Sequence, residues 1–203
     1  MKLFFVMLGA LCTVCLGAGG AMADFKTGME AYRAKDYQRA LKEFKADKSK
    51  DAEYNLGVMY FKGQGVDPDP KKGIEYFSKA AGRGHANAAF LLGNLYDKGE
   101  QVPRNLSSAA AWYRKAADKG HLEAQFNLGM MYTNGEGVEK SPREATKWFK
   151  KAASKGHPRA GKMLQVMGEE VPRAARIQIE KEKGPIVRTP ITGAEKAPPA
   201  QVK

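Results

Sequence analysis

The chain has few of the residues from which catalytic and metal sites are most often built. It contains 2 cysteines, 3 histidines and 2 tryptophans in 203 residues. Both cysteines, Cys12 and Cys15, lie in an N-terminal segment that we expect to be removed. The chain that remains would have no thiol, so it can form neither a disulfide bond nor a thiolate zinc site.

Short motifs of the common hydrolases and nucleotide-binding enzymes are also missing. The sequence has no Ser-x-x-Lys motif, no Ser-Asp-Asn motif and no Gly-x-Ser-x-Gly nucleophile elbow. It has neither a His-Glu-x-x-His zinc motif nor a Gly-x-x-x-x-Gly-Lys-Ser/Thr phosphate loop. We therefore predict a non-enzymatic protein with no catalytic residues, no metal site and no cofactor.

Residues 1–23 have the composition of a secretory signal. Lys2 provides the positive charge, residues 3–16 form an apolar stretch, and Ala21-Met22-Ala23 is a small-x-small cleavage site. Glycines within residues 17–20 interrupt the apolar stretch before it reaches the ~20 residues that a membrane-spanning helix needs. We expect cleavage before Asp24 and a periplasmic or secreted protein, with a retained membrane anchor as the alternative.

The charge of the chain is strongly positive. Lysine and arginine outnumber aspartate and glutamate by 34 to 22, which gives a formal net charge of +12. Such a surplus in a cytosolic protein often indicates nucleic-acid binding, but an exported protein rarely meets nucleic acid. We therefore expect acidic protein partners or anionic envelope surfaces, and no nucleic acid.

The most informative feature is a repeat with a period of 36 residues. Glycines, tyrosines and Gly-His pairs recur through three units: Gly57, Gly93 and Gly129; Tyr60, Tyr96 and Tyr132; Gly84-His85, Gly120-His121 and Gly156-His157. A fixed period of this length is typical of stacked supersecondary units. In the first unit, the spacing of small and apolar residues predicts a helix over 52–62, ended by Gly63 in a left-handed cap, and a second helix over 71–82.

We predict an all-α fold, an α/α superhelix (solenoid) of stacked helical hairpins. The sequence divides into a signal peptide (1–23), an N-terminal capping hairpin that resembles a tetratricopeptide hairpin (24–50), three repeats (51–86, 87–122 and 123–157), a C-terminal capping helix (158–168) and a basic, proline-rich tail (169–203). Because the tail has few large apolar residues, we expect it to be disordered. The one helix that its pattern allows covers residues 173–183, with Ile177 and Ile179 as weak anchors.

The repeat unit resembles the Sel1-like repeat. Its pattern, Ala-x-x-x-Leu-Gly-x-x-Tyr-x-x-Gly-x-Gly-Val followed by Ala-x-x-Trp-Phe/Tyr-x-x-Ala-Ala-x-x-Gly-His, is most complete in residues 124–138 and 145–157. Local departures are Gly73 in place of a helix alanine and Gln101 in place of a loop glycine. The resemblance implies a tetratricopeptide-like superhelix in which the first helix of each hairpin lines the concave side.

The resemblance also implies a kind of function. Members of this family generally act as adaptors in protein complexes, and many bacterial members are exported. We therefore expect a non-catalytic scaffold of the bacterial cell envelope that binds a protein or peptide on the concave face. Some cysteine-rich relatives are associated with β-lactam hydrolysis, which makes a hydrolase the alternative from a different class.

Two kinds of recurring residue invite a functional explanation, and we expect packing to explain both. A glycine inside a helix costs about 1 kcal/mol relative to alanine. Gly57, Gly93 and Gly129 therefore predict a close approach of paired helices, with the tyrosine three residues later filling the space beside each glycine. The histidines lie one repeat apart, which places neighbours on the order of 10 Å apart, too far to share a metal ion. We expect them to close loops.

The candidate binding surface is a strip along the first helices that packing leaves unconstrained. It contains Asp51, Asn55, Val58, Lys62, Asn87, Leu91, Asn94, Lys98, Glu123, Asn127, Met130 and Asn134. Its amides can hydrogen-bond a peptide backbone, and its apolar members are unusual on a plain solvated helix. The strip is either a groove for a partner or a wetted face, and the sequence leaves both open.

The second helices carry basic residues on the side that would be convex. They are Lys71, Lys72, Lys79, Arg114, Lys115, Lys147, Lys150 and Lys151. Such charges usually serve solubility, and contact with anionic lipid or cell-wall polymer is the alternative.

Overall fold

The computed structural model describes residues 24–182, and within them the chain forms ten α-helices and no strand. The helices are α1 (Phe25–Arg33), α2 (Tyr37–Ala46), α3 (Lys50–Lys62), α4 (Pro70–Gly82), α5 (Ala86–Lys98), α6 (Leu106–Asp118), α7 (Leu122–Asn134), α8 (Pro142–Ser154), α9 (Pro158–Val166) and α10 (Arg173–Glu182). None of these ten is long and apolar enough to span a membrane. Residues 1–23 and 183–203, which include the predicted signal peptide and most of the predicted tail, lie outside the described residues.

The helix ends follow from the residues at their boundaries. Ser49 caps the start of α3, where its side chain accepts a hydrogen bond from the backbone N–H of Ala52 at 3.1 Å. Asp69 caps α4 in the same way. Gly63 ends α3 with a φ of 70°, in the left-handed region that a residue without a Cβ enters at little steric cost. The first repeat is therefore a helical hairpin, as its sequence pattern predicts.

Consecutive helices pack against one another along the chain, so that the hairpins stack in order. Paired alanines on the second helices, such as Ala80 and Ala81, are buried and allow the next helix to approach. One apolar core extends from Phe77 to Ile179, and another covers the N-terminal part from Ala31 to Tyr60. Each hairpin thus buries its apolar face against its neighbours, as expected of a repeat array.

Within each hairpin the two helices meet at a glycine. The glycine and aromatic pairs are Gly57 with Phe77, Gly93 with Tyr113, and Gly129 with Phe149. In each pair, a Cβ atom built on the glycine would lie 2.5 Å from a ring carbon of the second helix. The N-terminal hairpin repeats the contact, since a Cβ on Gly28 would lie 2.6 Å from Phe44. The close approach that these glycines predict is therefore present.

The tyrosines three residues after the glycines do not fill that space, so this part of the prediction is wrong. Tyr60 instead stacks on Tyr76, with ring centroids 5.4 Å apart. Tyr132 lies against the guanidinium of Arg114. Helical spacing shows which residues share a face of one helix. It does not show which side chain of the partner helix enters the gap, and here the partner's aromatic ring does.

The histidines join each repeat to the helix that follows it. Nδ1 of His85, His121 and His157 accepts a hydrogen bond from the backbone N–H three residues later, at 3.1, 3.2 and 3.1 Å. Each imidazole also stacks on a ring of the first helix of its own repeat: the pairs are His85 with Tyr54, His121 with Phe90, and His157 with Phe126, at centroid distances of 4.4, 4.2 and 5.0 Å. The histidines therefore cap helices and hold repeats together, which goes beyond closing a loop.

The first part of the tail contains the helix that its sequence pattern allows. Residues 173–182 form α10, which packs on α9 and α8. Ile179 is 3% exposed and Ala175 is fully buried, whereas Ile177, the other expected anchor, is 40% exposed. A Cβ on Gly161 would lie 2.8 Å from the Cβ of Ala175, so the missing side chain is what lets α10 approach α9. The helix that the pattern of the tail allows is therefore present, with Ile179 but not Ile177 as its anchor.

Candidate partner-binding surface

All twelve residues of the predicted strip lie on accessible faces of α3, α5 and α7 or at the ends of these helices. Lys62, Asn87, Lys98 and Asn134 are exposed, and the other eight are partly exposed. Val58, Leu91 and Met130 rest against the apolar core and keep part of their surface in solvent. The strip therefore presents both amide and apolar side chains at the surface.

The two carboxylates of the strip have a structural role. An Asp51 oxygen lies 3.4 Å from Nε2 of His85, and a Glu123 oxygen lies 3.1 Å from Nε2 of His157. Glu123 also pairs with Arg159. These contacts join the first helix of a repeat to the histidine that caps the next helix, so they account for both acids without a partner.

Two further strip residues make local contacts. Nδ2 of Asn55 donates a hydrogen bond to the backbone oxygen of Asp51 at 2.8 Å. Nζ of Lys98 lies 3.7 Å from a carboxylate oxygen of Glu100. Each contact stays within one helix or its C-terminal end, and such exposed pairs contribute little to stability.

A polar cluster occupies the centre of the strip. The Tyr113 hydroxyl lies 2.7 Å from Oδ1 of Asn94 and 3.2 Å from Oδ2 of Asp97, and Asn127 approaches it from the next repeat. Tyr113 is 1% exposed, so its hydroxyl reaches these residues from inside the hairpin. Because Oδ1 of Asn94 accepts this hydrogen bond, the Nδ2 group of Asn94 is left as a donor for another acceptor.

The Tyr113 hydroxyl keeps its proton and acts as the donor in this cluster. Burial raises the pKa of Tyr113 far above its ordinary value, and the Asp97 carboxylate raises it further. The contact with Asn127 lowers the pKa, but by less. The amide of Asn94 is therefore held in one orientation at neutral pH.

Sequence reasoning included Asn94 in the site but missed Tyr113 and Asp97. The information was in the differences between repeats, because three equivalent positions are all polar in the middle repeat alone. The triplets are Val58, Phe61 and Phe77; Asn94, Asp97 and Tyr113; and Met130, Thr133 and Phe149. The cluster is found by comparing the positions at which the repeats differ, and not the positions at which they agree.

A Lys-Thr-Gly tripeptide occurs at residues 26–28. It is one of three short motifs of penicillin-binding enzymes and related β-lactamases, and the Ser-x-x-Lys and Ser-Asp-Asn motifs do not accompany it. The tripeptide lies in α1, where Gly28 packs against the ring of Phe44. Its glycine is explained by packing, so the tripeptide gives no support to the hydrolase alternative.

Comparison with known proteins agrees with the repeat pattern. A family model described as the Sel1 repeat matches residues 50–85, 86–121 and 122–157. A Sel1 repeat protein from Oxalobacter formigenes is 34% identical, with a TM-score of 0.66, over 69% of this chain and 43% of that one. The protein c5321, a protective antigen of uropathogenic Escherichia coli strains with an SLR fold, is 35% identical, with a TM-score of 0.61, over 73% of this chain and 33% of its own.

Two conclusions follow from these similarities. The predicted fold class, an all-α solenoid of stacked helical hairpins, is confirmed. The aligned part of this chain spans less than half the length of either relative.

Proposed function

Since this chain belongs to the Sel1 repeat family, we propose that it binds an extended segment of a partner protein across α3, α5 and α7. Proteins built from Sel1 repeats are generally scaffolds for protein interaction. The observation that carries the proposal is the polar cluster around Tyr113, which holds an amide donor at the centre of an otherwise mixed strip.

The strip matches the chemistry of an extended peptide. Such a peptide presents one N–H and one C=O per residue, and an asparagine amide can both donate and accept. Asn94 and Asn127 lie beside the Tyr113 hydroxyl on adjacent first helices. Val58 and Met130, on the flanking repeats, provide apolar contact on either side. The helices exist before binding, so little ordering entropy is lost by the receptor.

Changing Asn94 and Asn127 together to alanine should weaken partner binding about 10-fold or more. Each lost hydrogen bond contributes about 0.5–1.5 kcal/mol, and about 1.4 kcal/mol corresponds to a factor of ten in affinity. Affinity capture from cell-envelope extract would identify the partner, and calorimetric titration with the captured segment would measure the dissociation constant. Glu75→Ala, on the exposed face of α4, is the matched control and should bind like the unchanged protein.

The result must be separated from loss of folding. Asp97 remains as an acceptor for Tyr113 in the double variant, and the equivalent repeats fold with no polar cluster at this place. We therefore expect the thermal unfolding curve, followed by circular dichroism, to move by only a few degrees. A folded double variant that binds as tightly as the unchanged protein would rule out a role for the strip.

We also propose that the protein is exported to the periplasm or out of the cell, because residues 1–23 have the composition of a cleavable signal. Expressed in a bacterial host with its N-terminus intact, it should be recovered from the periplasm or medium with a mass that begins at Asp24. Intact mass spectrometry of each cell fraction makes the measurement. Full-length protein in the membrane fraction would favour the anchor instead, and full-length protein in the cytosol would contradict export.

A further inference from the structure

Six cations form a double row at the ends of the second helices. The inner row is Lys79, Lys115 and Lys151, and the outer row is Arg83, Lys119 and Lys155. All six side chains are exposed, and each outer residue follows its inner partner by four positions, on the same side of α4, α6 or α8. We call this surface the basic edge; it lies at the C-terminal ends of the second helices and adjoins the strip at Asp51 and Asn87.

The inner row is positioned by aromatic rings. The pairs are Lys79 over Tyr76, Lys115 over Trp112, and Lys151 over Trp148, with Nζ 5.1, 4.1 and 3.9 Å from the ring centroid. An ammonium group is attracted to the electron-rich face of such a ring. The three inner ammonium groups are therefore held at defined places before any ligand binds.

Two residues of the outer row lie over glycines, and the third, Arg83, is paired with Glu53 at 3.1 Å. A Cβ on Gly84 would lie 3.1 Å from Cε of Lys119, and a Cβ on Gly120 would lie 2.9 Å from Nζ of Lys155. Each lysine thus crosses the turn of the preceding repeat where a side chain is missing. At the third turn, the nearest side chain to Gly156 is Gln178 of α10, so the row ends where α10 covers the array.

Grooves open between neighbouring turns along this edge. One groove of about 440 Å³ is lined by Arg83, Lys115, Lys119 and the single acid Asp118, among others. A second, of about 370 Å³, shares Gly84 and Lys119 with the first. Lys119 therefore stands between two depressions, each large enough for part of a side chain or backbone of a bound chain.

The arrangement has an electrostatic cost that a ligand would relieve. Like charges four residues apart on a helix repel each other, and here this happens in the second and third repeats. In the first repeat, Glu53 pairs with Arg83. The partial negative charge at a helix C-terminus favours a nearby cation, which offsets part of the repulsion.

We propose that the basic edge binds an extended acidic peptide segment of a partner protein, with a carboxylate at about every third residue. Packed hairpins are separated by on the order of 10 Å, and three residues of extended chain span about 10 Å. Asp118 lines the groove, where it would repel a polymer with continuous negative charge. A chain with neutral residues between its acids can place a neutral residue beside Asp118. Among the described residues, the exposed large apolar side chains are Val166 of α9 and Ile177 of α10, and neither belongs to this edge.

The test uses the purified protein and two fluorescent twelve-residue peptides of the same composition. One has glutamate at every third position with glycine and serine between, and the other has its four glutamates together at one end. We expect the spaced peptide to bind at least 5-fold more tightly by fluorescence anisotropy at low salt. Lys119→Gln with Lys155→Gln should weaken the binding of the spaced peptide at least 10-fold, and Asp118→Asn should strengthen it.

The matched control is Lys71→Gln with Lys140→Gln, which changes the net charge equally at the opposite ends of the second helices. It should weaken binding less than 2-fold. Equal losses for the two pairs, or equal affinity for the two peptides, would overturn the proposal. So would tighter, Lys119-dependent binding of polyphosphate or of phosphatidylglycerol vesicles, which would assign the edge to a polymer or a lipid surface. The variant lacking the Asn94 and Asn127 amides should bind the spaced peptide normally, which separates this edge from the strip.

Discussion

Gly129→Ala is expected to lower the free energy of unfolding by about 1–2 kcal/mol, although alanine is the better helix former. On an exposed helix the same change would stabilise by about 1 kcal/mol. Here the new Cβ would lie 2.5 Å from Cε1 and 2.8 Å from Cδ1 of Phe149. That ring is completely buried, so it cannot move aside. Overpacking a core costs about 1–3 kcal/mol, and the clash therefore outweighs the gain in helix propensity.

Two comparisons isolate the cause. Gly82, the last residue of α4, has no atom within 4 Å of a Cβ built on it, so Gly82→Ala should be neutral or stabilise by up to about 1 kcal/mol. Phe149→Leu removes most of the ring and leaves room, so adding Gly129→Ala to that variant should cost less than it does alone. The urea midpoint of each variant gives the comparison. Additive effects of the two substitutions, or a stabilising Gly129→Ala, would contradict a glycine–ring contact as the reason for this glycine.

The hairpin architecture could be predicted because the residues that determine it recur from repeat to repeat. Gly63 ends a helix through interactions between near neighbours, and such a local rule transfers directly from sequence to structure. The partner of Gly57 could not be predicted in this way. Phe77 lies 20 residues later in the sequence, and only the register of the two helices decides that its ring, and not Tyr60, meets the glycine. The identity of a long-range contact is a tertiary property.

In α10, too, local sequence predicts one property and a contact with another helix determines the other. Its composition has few large apolar residues, and this predicts that it cannot fold alone. The composition does not show that Gly161 of α9 offers a surface without a side chain, onto which Ala175 and Ile179 close. The sequence pattern allows a helix at this place, whereas the contact with α9 that orders it is a tertiary property.

The candidate site was predicted as a surface but not in its chemistry. Periodicity correctly places the strip on accessible faces of the first helices, since it identifies the faces that packing uses. Periodicity did not show that Asp51 and Glu123 contact histidines, or that Tyr113 orients Asn94. These roles depend on side chains from other helices. The binding role of the strip itself stays a prediction.

The free energy of unfolding should fall as the pH is lowered from about 7 to about 5, and His85 and His121 are the expected cause. Burial lowers the pKa of both imidazoles below the ordinary value of about 6.5. Asp51 opposes this shift at His85 and Glu123 opposes it at His121, in each case by less than burial, while Lys50 lowers the pKa of His85 further. The unfolded chain therefore binds more protons than the folded one. The stability is complete above about pH 6.5 and is lost as the pH falls through the lowered values.

Protonation also removes the helix caps. Nδ1 of His85 and His121 accepts hydrogen bonds from the backbone N–H groups of Ala88 and Ala124. An imidazolium has two donors and no acceptor, so these hydrogen bonds cannot persist after protonation. Acid should therefore act first at the contacts between repeats, because the glycine and aromatic contacts within each hairpin contain no group that titrates in this range.

Changing both histidines to asparagine should flatten the pH profile. Asparagine caps a helix as well as other short polar residues do, but it does not titrate. The variant should be less stable than the unchanged protein at about pH 7.5, since the rings no longer stack on Tyr54 and Phe90. It should also lose less stability between about pH 7.5 and 5, where each histidine can contribute at most about 1.4 kcal/mol per pH unit. Urea midpoints at each pH, followed by circular dichroism, measure this. If the variant loses stability with falling pH as steeply as the unsubstituted protein does, other groups cause the acid sensitivity. If the stability of the unsubstituted protein does not fall, the fold does not hold the imidazoles neutral.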